Sequence, residues 1–420
     1  MTHRVFFKNF TLLVLGQASS LLGNGMLRLA LSMYVLEATG SAAVFAGMLS
    51  IATIPTILLS PFGGILADRA NRRNIMVVLD ALTGISVLGA ALLFAASGSL
   101  TAITVLLVIL SVLGAFETPT VQACVPQMQT GGNIAKGNAV ISQVAAITNM
   151  ISPMLGSLLY TVFGLEPVMY AGVICFFATA LLECFIKLDH HRRDSSGGVL
   201  SVIRHDLAES FRFIGKEQPG VLKLMLLSAA ISFFIAGIAI VGLPYIVRVV
   251  LGMGAEYYGG AQSAFAFSAI LGSIAAGLLV GKLKVRRLSL ILAAIGAVLI
   301  PAGIAFIIPI STIAQYIVNI VAFCGMQMAI GIFNIFALSL MQQKTPQHLM
   351  GKVMAYISTI VMCAQPIGQI IFGFLFDSFT GSIYLVLIFS GLIVCVIGMF
   401  AAGFFRRLEK QAFVASEGSR

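Results

Sequence analysis

The chain has 420 residues, 59% of them apolar and 10% charged, with a formal net charge of +10. Its mean hydropathy is +1.04, whereas a soluble domain is about half apolar and a quarter charged. So few charges cannot cover a water-exposed surface; a soluble fold is excluded and lipid is the solvent, where a spanning helix takes about 20 mostly apolar residues.

Arg4 and Lys8 precede an apolar run from about Phe10 to Leu36. That run is far longer than the core of a secretory signal, so it reads as a retained first helix. Apolar runs broken by turns predict spans near 9–36, 42–66, 74–96, 100–126, 136–163 and 167–187. After a polar stretch, further spans are expected near 220–250, 256–281, 288–309, 312–342, 350–376 and 382–405. The fold class is therefore all-α, with twelve transmembrane helices. The expected divisions are a six-helix bundle over 1–189, a linker over 190–219, a second six-helix bundle over 220–407 and a tail over 408–420.

The linker opens on His190, His191, Arg192 and Arg193 and continues through Ser195, Ser196, Gly197 and Gly198, a turn-rich stretch. Val199, Ile203, Leu207, Phe211 and Ile214 then recur at helical spacing among charged residues, which predicts a short amphipathic helix at the membrane surface. The histidine pair reads as solvated linker rather than metal ligand. The cysteines, at 124, 175, 184, 324, 363 and 395, lie in or beside apolar runs without CxxC spacing and read as small packing residues.

The positive charge sits in short stretches between spans: Arg69, Arg72 and Arg73; Lys187, Arg192 and Arg193; Lys282, Lys284, Arg286 and Arg287; Arg406, Arg407 and Lys410. With the N-terminus in the cytoplasm nearly every base falls on that side, Arg28 and Arg248 excepted, which is the positive-inside pattern and not a nucleic-acid footprint. Both termini are then cytoplasmic, and the short loops suit a bacterial inner membrane. The halves repeat: Gly64 and Pro153 correspond to Gly277 and Pro366, both at an offset of 213 residues. Duplicated halves place a substrate site near mid-membrane.

An ionisable group inside a span costs about 3 kcal/mol on insertion scales, so each needs a reason. Arg28 lies in the first span beside Asn24, poised to bind substrate or a counter-charge or to reach for the outer interface. Glu117, with Pro119 just beyond it, lies in the fourth span. A carboxyl withdrawn from water can exchange a proton near neutral pH, making Glu117 the first candidate for proton coupling, with pairing to nearby bases as the alternative. Asp80, in the third span near the Arg69–Arg73 cluster, is the second proton candidate and favours a structural salt bridge. Glu37 and Asp377 lie near outer span ends, where solvation or gating accounts for them, and Arg248 and Glu256 are expected to pair at the surface.

The second-half spans are almost uncharged. Gln262, Asn334 and Gln365, with Asn24 and Arg28, are the substrate-cavity candidates, and Asn319 and Gln327 add further amides. Among many Phe and Met, such a wall suits a bulky, partly apolar solute. Pro153 with Gly156, and Pro366 with Gly368, are expected to bend their helices and let them rock. No GxxxxGK[ST] phosphate loop, metal constellation or nucleophile with a base is present in the sequence, so neither an ATP-driven pump nor an enzyme is expected, and no cofactor beyond a proton gradient.

The stretch Gly63-Gly64-Ile65-Leu66-Ala67-Asp68-Arg69-Ala70-Asn71-Arg72-Arg73 resembles the signature loop of the major facilitator superfamily. Asn71 stands where glycine is usual, and asparagine is the next-best residue for a left-handed turn. The segments Leu22–Leu31 and Gly114–Pro119, with Gly137-Asn138-Ala139, are similar to the macrolide-efflux and enterobactin-exporter branch; Asn24 often appears there as an acid, and Gly84 lies where an arginine is common. Ser152 replaces the glycine that usually precedes the proline of the antiporter motif, leaving antiport open.

The resemblance implies two pseudo-symmetric bundles, alternating access, monomeric function and outward movement of a drug, macrolide or siderophore-like compound. It also implies a latch in which Gly64, Asp68, Arg69, Arg72 and Arg73 engage span eleven. A lysophospholipid flippase and a nutrient importer of the same fold remain open, as does a transport-dead membrane sensor, which the short tail after Leu408 disfavours.

Overall fold

The structure, a computed structural model, describes residues 8–129, 133–188, 218–280, 282–346 and 350–417; the side chains of 61, 64–65, 67–69, 135, 351–352, 355 and 410–417 are outside that description. The linker helix and the histidine pair thus lie outside the described residues. So do the side chains of Asp68 and Arg69 and the surroundings of Gly64 in the latch loop.

Twelve helices among the described residues are long and apolar enough to cross a membrane. They are α1 (Lys8–Thr39), α2 (Ala42–Arg69), α3 (Arg72–Ser97), α4 (Leu100–Met128), α5 (Asn133–Phe163) and α6 (Leu165–Cys184). In the second half come α7 (Pro219–Val250), α8 (Ala255–Leu279), α9 (Val285–Ile304), α10 (Thr312–Lys344), α11 (Met350–Ser378) and α12 (Ile383–Glu417). No strand occurs among the described residues. Apolar side chains remain outward even where the helices pack: Phe400 is 83% exposed and Ile174 69%. In water that surface would forgo about 25 cal/mol of burial stabilisation per Å², whereas in lipid it is the wetted face.

Helix boundaries follow local chemistry. Ser41, Asn71, Ser99 and Ser311 each accept a backbone N–H in the first turn of α2, α3, α4 and α10, at 3.1, 3.1, 3.2 and 3.3 Å. Gly98 ends α3 at φ +60°, where a Cβ would be strained. Asn71 corrects its sequence reading: its φ is −68° and its carboxamide caps α3, so it replaces glycine as a helix starter and not as a left-handed turn residue.

The described residues form two compact units, one holding 8–129, 133–188 and 244–263, the other 218–243, 264–280, 282–346 and 350–417. In the first unit α1 packs on α5 and α6, α2 on α4, and α3 on α4 and α6; in the second, α7 packs on α11 and α9 on α10 and α12. Close helix approach fixes these pairs. A Cβ on Gly156 would stand 2.8 Å from the Met26 Cα, and one on Gly368 would stand 2.1 Å from the Phe233 carbonyl oxygen, so α1–α5 and α7–α11 cross through glycine at nearly the repeat offset.

One boundary was not legible in the sequence. α7 turns π-helical over Ile235–Gly242 and again over Ile246–Val250. Pro244 sits between the two stretches, unable to donate a helical hydrogen bond, and that is also where the division between units falls.

Candidate functional site

Gln17, Ser20, Asn24 and Arg28 recur at helical spacing and form one polar stripe on α1. At about 1.5 Å per residue the stripe runs roughly 16 Å. Its Gln17–Ser20 end meets carboxyl groups from three helices. The Ser20 hydroxyl lies 3.1 Å from Asp80 Oδ1 on α3 and 3.2 Å from Glu117 Oε1 on α4. Glu183 of α6 approaches Asp80, and Gln17 approaches Glu117. Asp80 is 1% exposed and Glu183 0%, with Glu117 half-buried.

A hydroxyl has one proton to donate, and Ser20 faces two carboxyl oxygens. When both contacts are hydrogen bonds, one carboxyl must donate its own proton to the Ser20 oxygen. The Asp80 Oδ2, both Glu183 carboxyl oxygens and the Gln17 Nε2 are buried without a geometrically sound partner. Like charges in one buried site repel, and unpaired buried polar atoms are costly, so gain or loss of a proton is the event that most changes the energy of this cluster.

Asp80 departs from its sequence reading. The expected salt bridge to the arginine cluster is absent among the described residues, and Asp80 meets Ser20 and Glu183 instead. The arginines serve helix ends: Arg72 Nη1 donates to the Ala123 carbonyl at 2.7 Å, and Arg73 donates to the carbonyls of Glu183 and Cys184. These bonds draw α4 and α6 onto the start of α3, closing one end of the cluster. Glu183 escaped the sequence reading because it falls beside the basic end of its span, where an acid reads as a surface partner. Its signal was a lone acid in the apolar run 167–186.

Further along the stripe, Asn24 donates to the Ser20 carbonyl at 3.2 Å. Arg28 is exposed and interacts electrostatically with the phenol of Tyr258, a buried residue of α8, with no carboxylate within ion-pair distance among the described residues. Gln262 follows Tyr258 by one helical turn. Beyond Arg28, Glu37 accepts from Arg248 and, at 2.5 Å, from the Tyr160 hydroxyl, while the Thr161 hydroxyl donates to Glu256 at 3.3 Å. Arg248 therefore pairs with Glu37 and not with the expected Glu256. Its other terminal nitrogen donates to the Met253 carbonyl, and Glu256 acts on the guanidinium electrostatically without an ion-pair contact.

In the second unit a cavity of about 210 Å³ is bounded by α7, α10 and α11. Asn334 and Gln365 line it, joined by Ser228, Ser232 and apolar residues of the π-helical stretch. Pro366 lies within α11 beside it, and Gly368 forms the crossing with α7. Sequence reading chose the two amides and passed over the serines, which are common in apolar helices. Among the described residues no group of His, Cys, Asp and Glu is arranged to hold a metal ion.

The chain as a whole is similar to known proteins. Over 403 residues the chain is 25% identical to macrolide efflux protein A of Streptococcus pyogenes, covering 91% of this chain and 92% of that protein. It is 24% identical to the multidrug efflux pump Tap of Mycolicibacterium fortuitum, covering 85% and 86%. Its fold is similar to solved structures of a bacterial homologue of the iron transporter ferroportin in an inward-facing state (TM-score 0.71, 17% identity, 94% and 98% coverage) and of the nucleoside transporter NupG (TM-score 0.70, 13% identity, 96% and 99% coverage). The Major Facilitator Superfamily model matches residues 13–369. Twelve spans, repeated helix pairs and that match lead to one conclusion: the chain is a multi-pass membrane transporter belonging to the Major Facilitator Superfamily.

Proposed function

We propose that this transporter is a proton-coupled exporter of small amphipathic compounds that works by alternating access. The observation that carries the reading is the shared hydroxyl of Ser20 between Asp80 and Glu117, with Glu183 behind them. This carboxyl–hydroxyl–carboxyl chain has room for a proton and no base in ion-pair contact among the described residues. Glu117, half-buried, is the member through which the proton enters and leaves; Asp80 and Glu183, fully buried, hold it. Arg28 and Asn24, on the same stripe of α1, receive the polar part of the solute.

Outward direction is supported by the efflux relatives, whose whole length this chain nearly covers. The bases at the ends of α2, α6 and α12 support a bacterial inner-membrane placement with both termini in the cytoplasm. The loop over 64–73 serves as conformational latch, with Arg72 and Arg73 joining the starts and ends of helices. The bilayer and the solute are the partners, the protein works as a monomer, and no nucleic acid or cofactor takes part beyond the proton gradient.

Reconstituted vesicles test this reading. With a macrolide as probe, an imposed proton gradient should drive transport in the wild type. Glu117→Gln should abolish that response while the macrolide still binds. Gradient-driven transport at the wild-type rate in Glu117→Gln would reject the assignment.

A further inference from the structure

The cavity of the second unit has a chemistry unlike the carboxyl cluster. Its polar groups are the hydroxyls of Ser228 and Ser232, one turn apart on α7, and the carboxamides of Asn334 on α10 and Gln365 on α11. No charged residue lines it. Among the described residues none of these four side chains makes a hydrogen bond within the protein, although Ser268, Ser273 and Ser289 elsewhere in the same unit bond back to their own helices. At membrane depth an unused hydroxyl or amide marks a ligand path, since water is scarce as a substitute partner.

The apolar side of the cavity comes from Ile231, Ile235 and Ile240, the latter two on the π-helical stretch of α7. A π-helical stretch inside an α-helix is rare and recurs at functional sites. Here it is held by contact: Gly237 lies against the Phe372 ring and Gly242 against Phe376, leaving no room for a Cβ at either position.

From this geometry we infer that the cavity is a recognition subsite for the uncharged, oxygen-bearing portion of an amphipathic solute, such as a hydroxylated ring or an ester. A purely apolar group would leave all four side chains unpartnered, and a charged one would lack a counter-charge. The volume, about 210 Å³, is below the roughly 300–1,000 Å³ of whole small-molecule sites, so one moiety of the solute fits and the rest lies elsewhere. The inference rests on the exporter reading only in naming the bound solute as cargo.

The test uses two probes with one octyl tail: octyl glucoside, whose head is neutral and hydroxylated, and octyl trimethylammonium, whose head is cationic. Equilibrium binding of each radiolabelled probe, below its micellar concentration, is measured on the full chain in lipid nanodiscs. Octyl glucoside should bind saturably. Asn334→Leu combined with Gln365→Met should weaken it by about tenfold or more, and Ser228→Ala combined with Ser232→Ala by about threefold to tenfold. Neither pair should alter retention of the cationic probe. The serine variants remove only hydroxyls, so they decide the matter if the amide variants do not fold. Absent saturable glucoside binding, equal affinity in wild type and variants, or an equal loss for the cation would overturn the inference. Intact gradient-driven export with unchanged glucoside affinity in the variants sinks this subsite alone; variant-sensitive binding without gradient-driven export sinks the exporter reading alone.

Discussion

The two units solve the problem of polarity inside lipid in opposite ways. The first concentrates ionisable groups: Asp80, Glu117 and Glu183 meet around Ser20, and Arg28 and Glu37, the latter paired with Arg248 of α7, lie further along α1. Around its cavity the second places only hydroxyls and amides. A carboxyl cluster changes energy sharply with one proton and suits coupling to a gradient; neutral amides and hydroxyls do not respond to a gradient and suit recognition. In a chain built from repeated halves, the difference teaches that duplication preserved helix crossings while the polar chemistry of the halves diverged.

The sharpest way to break that contrast is to neutralise the first unit. Glu183→Gln should lower gradient-driven transport on the order of 100-fold, as expected for loss of a proton-transfer group, with the protein still folded by circular dichroism. Wild-type transport in that variant would remove Glu183 from the coupling group. Asn334→Asp does the reverse, placing a carboxylate in the neutral unit. It should lower stability by about 2–3 kcal/mol, read as a fall in melting temperature, because an intramembrane acid there has no partner. An unchanged melting temperature would mean that the cavity is as wet as bulk solvent.

Ser20→Ala removes the hydroxyl shared by Asp80 and Glu117 and should cost about 1.5–3 kcal/mol by thermal melting, the range for hydrogen bonds to charged groups. A cost near zero would mean that water replaces the hydroxyl. The smallest effect is expected for Glu37→Gln, at most about 1 kcal/mol, because Glu37 is 40% exposed and its pair with Arg248 is screened. A larger loss would make this pair a structural clamp.

Much of the architecture was legible in the chain itself. Apolar runs gave the spans to within about five residues, except that α12 continues to Glu417 through the expected tail, because hydrocarbon forces every backbone polar group into helical bonding, whatever the packing. The offset between Pro153 and Pro366 likewise announced the repeated crossings that Gly156 and Gly368 make. The site was legible only in pieces. Glu117, Asp80, Asn334 and Gln365 stood out as polar residues in apolar runs, but Ser20, Ser228 and Ser232 carried no such mark, and Glu183 was masked by the basic span end next to it.

Spans, repeat and charge asymmetry are local or periodic properties, set by a residue and its near neighbours along the chain; hence the sequence alone determined them. Which acids meet around Ser20, which arginine finds Glu37 and where α7 departs from α-helical winding depend on side chains brought together from as far as 211 residues apart in sequence. Only tertiary packing decides those, because at short range Coulomb and hydrogen-bond energies depend on ångström distances that no linear spacing encodes.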